Sequence, residues 1–235
     1  MGEKIEFISI VEGLEDIEEC RPKPAKHFVP SWFKDMPGMV DSGATVKHCP
    51  SFPDFFSNGY ILPMWADIIL RYDETTDSWS WNCVSDKFTV DMHNKKQFLE
   101  HADVSFNGIK GQFVFKTISP WMIKTPPGWS VLQLPLFYHF NQEWSVLPGI
   151  IDTDIHPFIN QQVLYHGNNK KEVMIKRGDP FVLYLPFKRD DKLEEEIRYQ
   201  TEEDRKYLAK TGLYISTKYN PNGLYRGLQR KRDKG

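Results

Sequence analysis

The chain has little cysteine, no long apolar run and almost no net charge, and each shortage removes a class of explanation. Its three cysteines, Cys20, Cys49 and Cys83, contain no C-x-x-C pair and are odd in number. That spacing argues against a disulfide framework and a cysteine-ligated zinc site, and leaves reduced thiols in an intracellular compartment as the expectation. No window approaches the roughly 18 consecutive apolar residues of a membrane helix. Met1 to Ile10 lacks the basic start and apolar core of a signal peptide. A formal net charge of −2 gives no overall field to draw nucleic acid or an acidic membrane, so such a partner would need a local patch. Glycine-rich phosphate loops and local nucleophile motifs are missing as well.

What is present reads as a folded domain rich in strands. Hydrophobic residues are 40% and charged residues 26% of the chain, a globular balance. An aromatic share of 14% with 16 prolines and 15 glycines favours short strands joined by many turns. The expected fold is mainly β (α+β), a β-clip or a sandwich- or barrel-like core. Residues 1–188 are read as one β-rich domain and 189–235 as a charged helical appendage with a basic tail. Lys4 to Ile10 begins the strands. Arg21 to Val40, punctuated by Pro22, Pro24, Pro30 and Pro37, reads as an extended arm with one short helix at Ser31 to Asp35. Tyr60 to Val84 reads as a hairpin with Trp79, Trp81 and Cys83 on one face, and Lys95 to His101 as a short helix. Seven short strands follow up to Phe187, with the stretches before and after Pro120 counted separately. Arg189 to Lys210, sparse in apolar residues, reads as a surface helix or pair. The seven tryptophans are assigned to core packing.

The chemistry-bearing segment runs from Trp121 to Phe187. Gly149-Ile150-Ile151-Asp152-Thr153-Asp154 and, later, Gly178-Asp179 resemble the G-x-I-D-x-D-Y turn and the start of the G-D-R-I-A-Q segment of the trimeric dUTPase and dCTP deaminase superfamily. The resemblance implies a β-clip fold and trimeric association. For an enzyme it places Asp152, with Asp154, as the acid that orients an attacking water, with Mg2+ as cofactor to a nucleotide. Lys124, Trp129, Ser130, Arg177 and Asp179 are the candidate ligand-binding residues. The pattern also departs from the family. Ile155 stands where the superfamily has its stacking tyrosine, and Leu183 where it has glutamine. The phosphate turn is Thr125-Pro126-Pro127-Gly128, which carries no positive charge and, at proline, no amide. Without the resemblance, Asp152 and Asp154 read as side chains that cap a turn between strands.

A second constellation is His101, Asp103 and His166, followed by Arg177. Two histidines and a carboxylate suit Fe2+, and the order resembles the iron and 2-oxoglutarate dioxygenases. With seven histidines in the chain, surface or core histidines are the simpler reading.

Across nearly its whole length the chain resembles a family of tailed-phage proteins, known from marine phages and with distant bacterial relatives. The likeness is carried by Pro30 to Lys34, Lys47 to Pro50, Gly59 to Pro63, Ile123 to Leu132, Pro148 to Asp154 and Leu185 to Arg189. It implies a viral chain in the host cytoplasm or the virion, and brings no activity with it. The expectation is a non-enzymatic binding or assembly protein without cofactor, acting on a protein partner or on itself. The alternatives are a nucleotide hydrolase centred on Asp152 and the Fe2+ dioxygenase. No membrane partner is expected, and nucleic acid only through the basic tail 226–235.

Overall fold

The structure is a computed structural model. It describes residues 3–41, 43–73, 75–76, 78–85, 87–93, 97, 113–165, 172–189, 193–217, 227 and 230–231. The fold is mainly β with a few helices, and it divides into two units. The first comprises 1–28 and 59–191, the second 29–58 and 192–235.

In the first unit the strands are β1 (Glu6–Ser9), β2 (Lys23–Pro24), β5 (Tyr60–Pro63), β6 (Ile68–Asp73), β7 (Ser78–Cys83), β8 (Val90–Met92), β9 (Phe113–Lys124), β10 (Trp129–Leu134), β11 (Trp144–Val146), β12 (Gly149–Ile151), β13 (Phe158–Tyr165), β14 (Glu172–Ile175) and β15 (Pro180–Lys188). They form three antiparallel sheets: β1-β9-β13-β11 with β8 also on β9, then β12-β10-β15-β5-β2, then β14-β6-β7. All three feed one core, in which Leu62, Leu70, Phe115, Val131, Val163 and Phe181 are inaccessible or nearly so. None closes into a barrel among the described residues.

Particular residues explain the departures from the sequence reading. The Tyr60 to Tyr72 run splits at Trp65–Asp67, so β5 joins one sheet and only β6 pairs with β7. The stretches either side of Pro120 form one strand, β9. Proline lacks an amide to donate, and Pro120 sits where the β13 register shifts, between Phe158 and Asn160, so no ladder bond is lost there. The tryptophans pack as expected. Trp65, Trp121 and Trp144 are buried, Trp79 stacks on Phe113 at 3.9 Å, and no tryptophan among the described residues is fully exposed.

Two sheets are pinned together by a buried polar relay. Thr117 on β9 donates to Gln161 Oε1 on β13 at 2.7 Å, and Gln161 Nε2 donates to the Tyr184 hydroxyl on β15 at 2.7 Å. Tyr184 in turn donates to Gln133 Oε1 on β10 at 3.2 Å, and Gln133 Nε2 reaches the Leu147 carbonyl at 2.9 Å. Nearby, Gly59 holds φ at +75°, and a Cβ there would stand 2.4 Å from the Tyr184 carbonyl oxygen. Gly59→Ala is therefore expected to destabilise by more than the ~1–2 kcal/mol of left-handed strain alone, measured as a lower denaturant midpoint at unchanged slope.

The second unit holds α1 (Ser31–Asp35), the short hairpin β3 (Met39–Val40) and β4 (Gly43–Ala44), α2 (Ser51–Phe56) and α3 (Glu202–Thr217). Phe33 stacks on Phe52 at 6.2 Å and meets Phe56 at 4.7 Å, and Lys47 Nζ caps the end of α1 through the carbonyls of Lys34 and Met36. The charged stretch does not become helical at Arg189. Thr201 supplies a capping box, its hydroxyl accepting from Asp204 N–H while Asp204 accepts from Thr201 N–H, and only there does a helix start. The Lys95–His101 helix expectation falls almost wholly outside the described residues.

Candidate functional site: an acidic clip on Arg189

Strand pairing assembles this site. β10 lies between β12 and β15, with Val131 opposite Ile151 and Trp129 opposite Lys188. One residue beyond each pairing, Ser130 on β10, Asp152 after β12 and Arg189 after β15 converge. The ladder continues into the turn, where Arg189 N–H donates to the Gly128 carbonyl at 2.9 Å.

The Arg189 guanidinium then occupies most of the acceptors around it. It grips Asp154 with two N–H groups, Nη1 to Oδ1 at 2.8 Å and Nη2 to Oδ2 at 2.5 Å. Nη1 also donates to the Trp129 carbonyl at 3.0 Å and to Ser130 Oγ at 2.9 Å, and lies 3.3 Å from Asp152 Oδ1. Gly128 N–H donates to Asp154 Oδ2 at 2.8 Å, and Ser130 Oγ donates to Asp152 Oδ1 at 2.6 Å. Beneath them the hydroxyls of Thr125 and Thr153, both buried, meet at 2.7 Å. The Asp154 side chain is 7% exposed, Arg189 29% and Asp152 50%. The result is a staple that joins three loops through fork geometry, for which arginine is suited and lysine is not.

The Thr125-Pro126-Pro127-Gly128 turn has no positive charge of its own, and the charge beside it comes from Arg189 at the end of β15, delivered by strand register rather than by local sequence. From Asp152 to His156 the turn is closed through the main chain. The Asp152 main-chain carbonyl does that, accepting from Ile155 and His156 at 3.0 and 2.8 Å, while both side chains cross to the neighbouring loop.

The Arg189 guanidinium holds the Asp154 carboxyl at about 2, aided by the Gly128 amide. A carboxyl whose folded pKa lies below its unfolded value of roughly 3.9 contributes stability that is complete above that value and lost as pH falls toward 2. Wild-type protein is expected to lose melting temperature between pH 4 and 2 more steeply than Asp154→Asn, as read by thermal melts across that window.

The other candidate residues are dispersed. Trp129 and Ser130 belong to the clip, and Lys188 Nζ lies 5.3 Å from the Trp129 ring centre. Lys124 ends β9, exposed, opposite Glu6. Arg177 pairs with Glu19 at 2.7 Å, its N–H held by Asp67 Oδ1 at 2.7 Å, and Asp179 accepts from Lys176 N–H at 3.2 Å. His101, Asp103 and His166 lie outside the described residues, and the tail 226–235 is described only at 227, 230 and 231. Among the described residues no three His, Cys, Asp or Glu side chains are grouped to hold a metal. At the clip, three of the four carboxylate oxygens are engaged by Arg189, Gly128 or Ser130. Among the described residues the contacts of Asp152 fall on Oδ1 rather than Oδ2, and a cation such as Mg2+ needs several oxygen ligands. None of the three cysteines is in a disulfide, and among the described residues no helix is long and apolar enough to cross a membrane.

No protein-family model matches the sequence, and no curated protein matches it. Among solved structures, the native dUTPase of EIAV aligns with 61% of this chain and 86% of its own at 12% identity and a TM-score of 0.33. A mutant dUTPase from phage phi11 of S. aureus, described with a structural Mg(II) ion, aligns with 84% of this chain and 99% of its own at 10% identity and a TM-score of 0.38. Likenesses of that size carry no argument, and the β architecture rests on the strands themselves.

Proposed function

We propose that this chain is a non-enzymatic binding or assembly protein, and that its acidic clip is a structural staple. The observation that carries the reading is the fork between Arg189 and Asp154. The cation that could hold a phosphate is committed to an almost inaccessible carboxylate, to a main-chain carbonyl and to Ser130. The acid a hydrolase would use, Asp152, already takes a hydrogen bond from Ser130. A triphosphate brought to this loop would have to break that set before it gained a partner. The resemblance of the proline- and glycine-containing blocks to tailed-phage proteins fits an assembly component, which acts through surfaces.

The surface offered is the outer face of the first sheet. Ile8, Met122 and Phe158 stand opposite one another across β1, β9 and β13, with Ile118 further along β9. Ile8, Ile118 and Phe158 are exposed, whereas the solvent side of an antiparallel sheet is ordinarily polar. Self-association through this face is the first form of binding to test.

The rival reading, a nucleotide hydrolase using Asp152, is separated by incubation with each deoxynucleoside triphosphate and Mg2+. No pyrophosphate release is expected. Release that Asp152→Asn abolishes overturns the proposal. In light scattering, an oligomer that Phe158→Glu dissociates is expected, and a monomer at every concentration removes the self-association part.

A further inference from the structure

A second site lies apart from the clip, where four connections of the first unit meet: the turns after β1 and β7, the Trp65–Asp67 link between β5 and β6, and the turn between β14 and β15. Together they line a cavity of about 600 Å³, within the range of small-molecule pockets. The walls are tied to one another. Asp67 Oδ1 accepts from the Arg177 main-chain N–H at 2.7 Å, the Asp67 carbonyl accepts from Val84 N–H at 3.4 Å, and Arg177 Nη2 pairs with Glu19 at 2.7 Å.

The floor is apolar with one polar exception. Leu14, Trp65 and Ala66 are at most 5% exposed, and Ile17 and Phe88 are half-buried. The exception is the Trp65 indole N–H, which is buried and has no acceptor among the described residues. The remainder of that residue is engaged, its carbonyl accepting from Cys20 Sγ at 3.7 Å and its ring meeting Phe181 edge-on at 5.9 Å. A buried donor without an acceptor costs its desolvation, so an acceptor that enters the cavity gains a hydrogen bond without breaking one. The rim is charged. Lys87, Lys176 and Arg177 face Glu12, Glu19 and Asp67 there. Glu19 is taken by Arg177 and Asp67 by the Arg177 N–H, which sets the two lysines against Glu12, all three exposed.

We infer that this cavity binds an organic carboxylate with an apolar body, its hydrocarbon against Leu14, Trp65 and Phe88 and its carboxylate answering the Trp65 indole N–H and the ammonium groups of Lys87 and Lys176. An organic cation would meet two lysines and leave the indole donor as it is. A neutral hydrocarbon would cover the floor but bring no acceptor. A small inorganic anion would reach the lysines but bury no apolar surface. A carboxylate on an apolar body does all three, and hydrogen bonds to an ionised acceptor are the stronger kind.

The test uses the full-length protein and calorimetric titration with 3-phenylpropanoate, its neutral isostere 3-phenylpropanamide, and acetate. The aryl carboxylate is expected to bind at least about five-fold more tightly than the amide, which keeps the carbonyl but not the charge. It is expected to bind at least about ten-fold more tightly than acetate, which keeps the charge but not the ring. Lys87→Gln combined with Lys176→Gln is expected to bring carboxylate and amide to within about two-fold of each other, at unchanged melting temperature, since both side chains are exposed. In proton NMR of the wild type, an indole N–H resonance is expected to move downfield as the aryl carboxylate is added. Amide or acetate binding equal to that of the aryl carboxylate overturns the inference, as does a carboxylate preference unchanged in the lysine variant. So does a spectrum in which no indole resonance moves, or the absence of carboxylate binding at millimolar concentration. None of these outcomes bears on the clip, whose reading rests on pyrophosphate release.

Discussion

Gln161→Leu is expected to lower the unfolding free energy by about 2–5 kcal/mol and the melting temperature by roughly 10 °C. Leucine fills nearly the same volume, so the loss is polar. The Thr117 hydroxyl loses its acceptor and the Tyr184 hydroxyl its donor, in positions where Thr117, Gln161 and Tyr184 have no accessible surface. Water cannot replace either partner, and an unsatisfied buried group costs its full desolvation. Burial pushes the Tyr184 phenol well above its ordinary pKa, so it stays a neutral donor and acceptor across the working pH range. Tyr184→Phe should cost less, about 1–3 kcal/mol, by stranding Gln161 Nε2 and Gln133 Oε1. The double variant should fall short of the sum, because each change removes the same central bond. Equilibrium denaturation of the three variants measures this, and strict additivity would show that the relay is not one unit.

That relay was legible in phase but not in partner. In β13 the alternation Ile159, Gln161, Val163, Tyr165 places Gln161 inward and Gln162 on the other side, and period-2 reading recovers this from sequence alone. That the inward amide would meet a tyrosine and a second glutamine from another sheet depends on non-local packing. The same division applies elsewhere. Ser31 to Asp35, flanked by Pro30, was readable as a helix because its signals are local, and so was the β6–β7 hairpin with its turn-forming residues. The start of α3 was readable too, had the Thr201 to Asp204 capping box been weighed above the charge density of the residues before it. Arg189 was not. Nothing in the Lys188–Arg189 pair distinguishes it from any basic residue after a strand, and a domain boundary drawn at 188 sets it outside the fold it closes. Only the register of β15 on β10, Trp129 against Lys188, puts its side chain over Asp154. A loop read as uncharged is therefore a loop whose charge is donated by a residue about sixty positions away in sequence.

Arg189→Ala tests what that donation does. The melting temperature at pH 7 is expected to fall by roughly 5–15 °C, because the Asp154 carboxylate loses the guanidinium that grips both its oxygens and is left to the main-chain amides of Gly128 and Asp154 itself. Arg189→Lys should rescue little, since an ammonium cannot reproduce the two-pronged grip on Asp154 while also reaching the Trp129 carbonyl and Ser130. The paired change Asp154→Leu with Arg189→Leu should recover most of the loss, because it removes the stranded charge along with its partner. The sign with pH provides an independent check. Wild type is expected to weaken as pH falls through 4 toward 2, where the Asp154 carboxyl protonates and releases the fork. Arg189→Ala should instead be relatively less impaired at low pH, since protonation neutralises the charge the variant has stranded. Thermal melts of wild type and Arg189→Ala at pH 7 and pH 3 decide it. A variant equally destabilised at both would mean that Arg189 acts through packing of its aliphatic stem rather than through the carboxylate. The staple reading of the clip, and with it the argument against a phosphate site, would then lose its electrostatic basis.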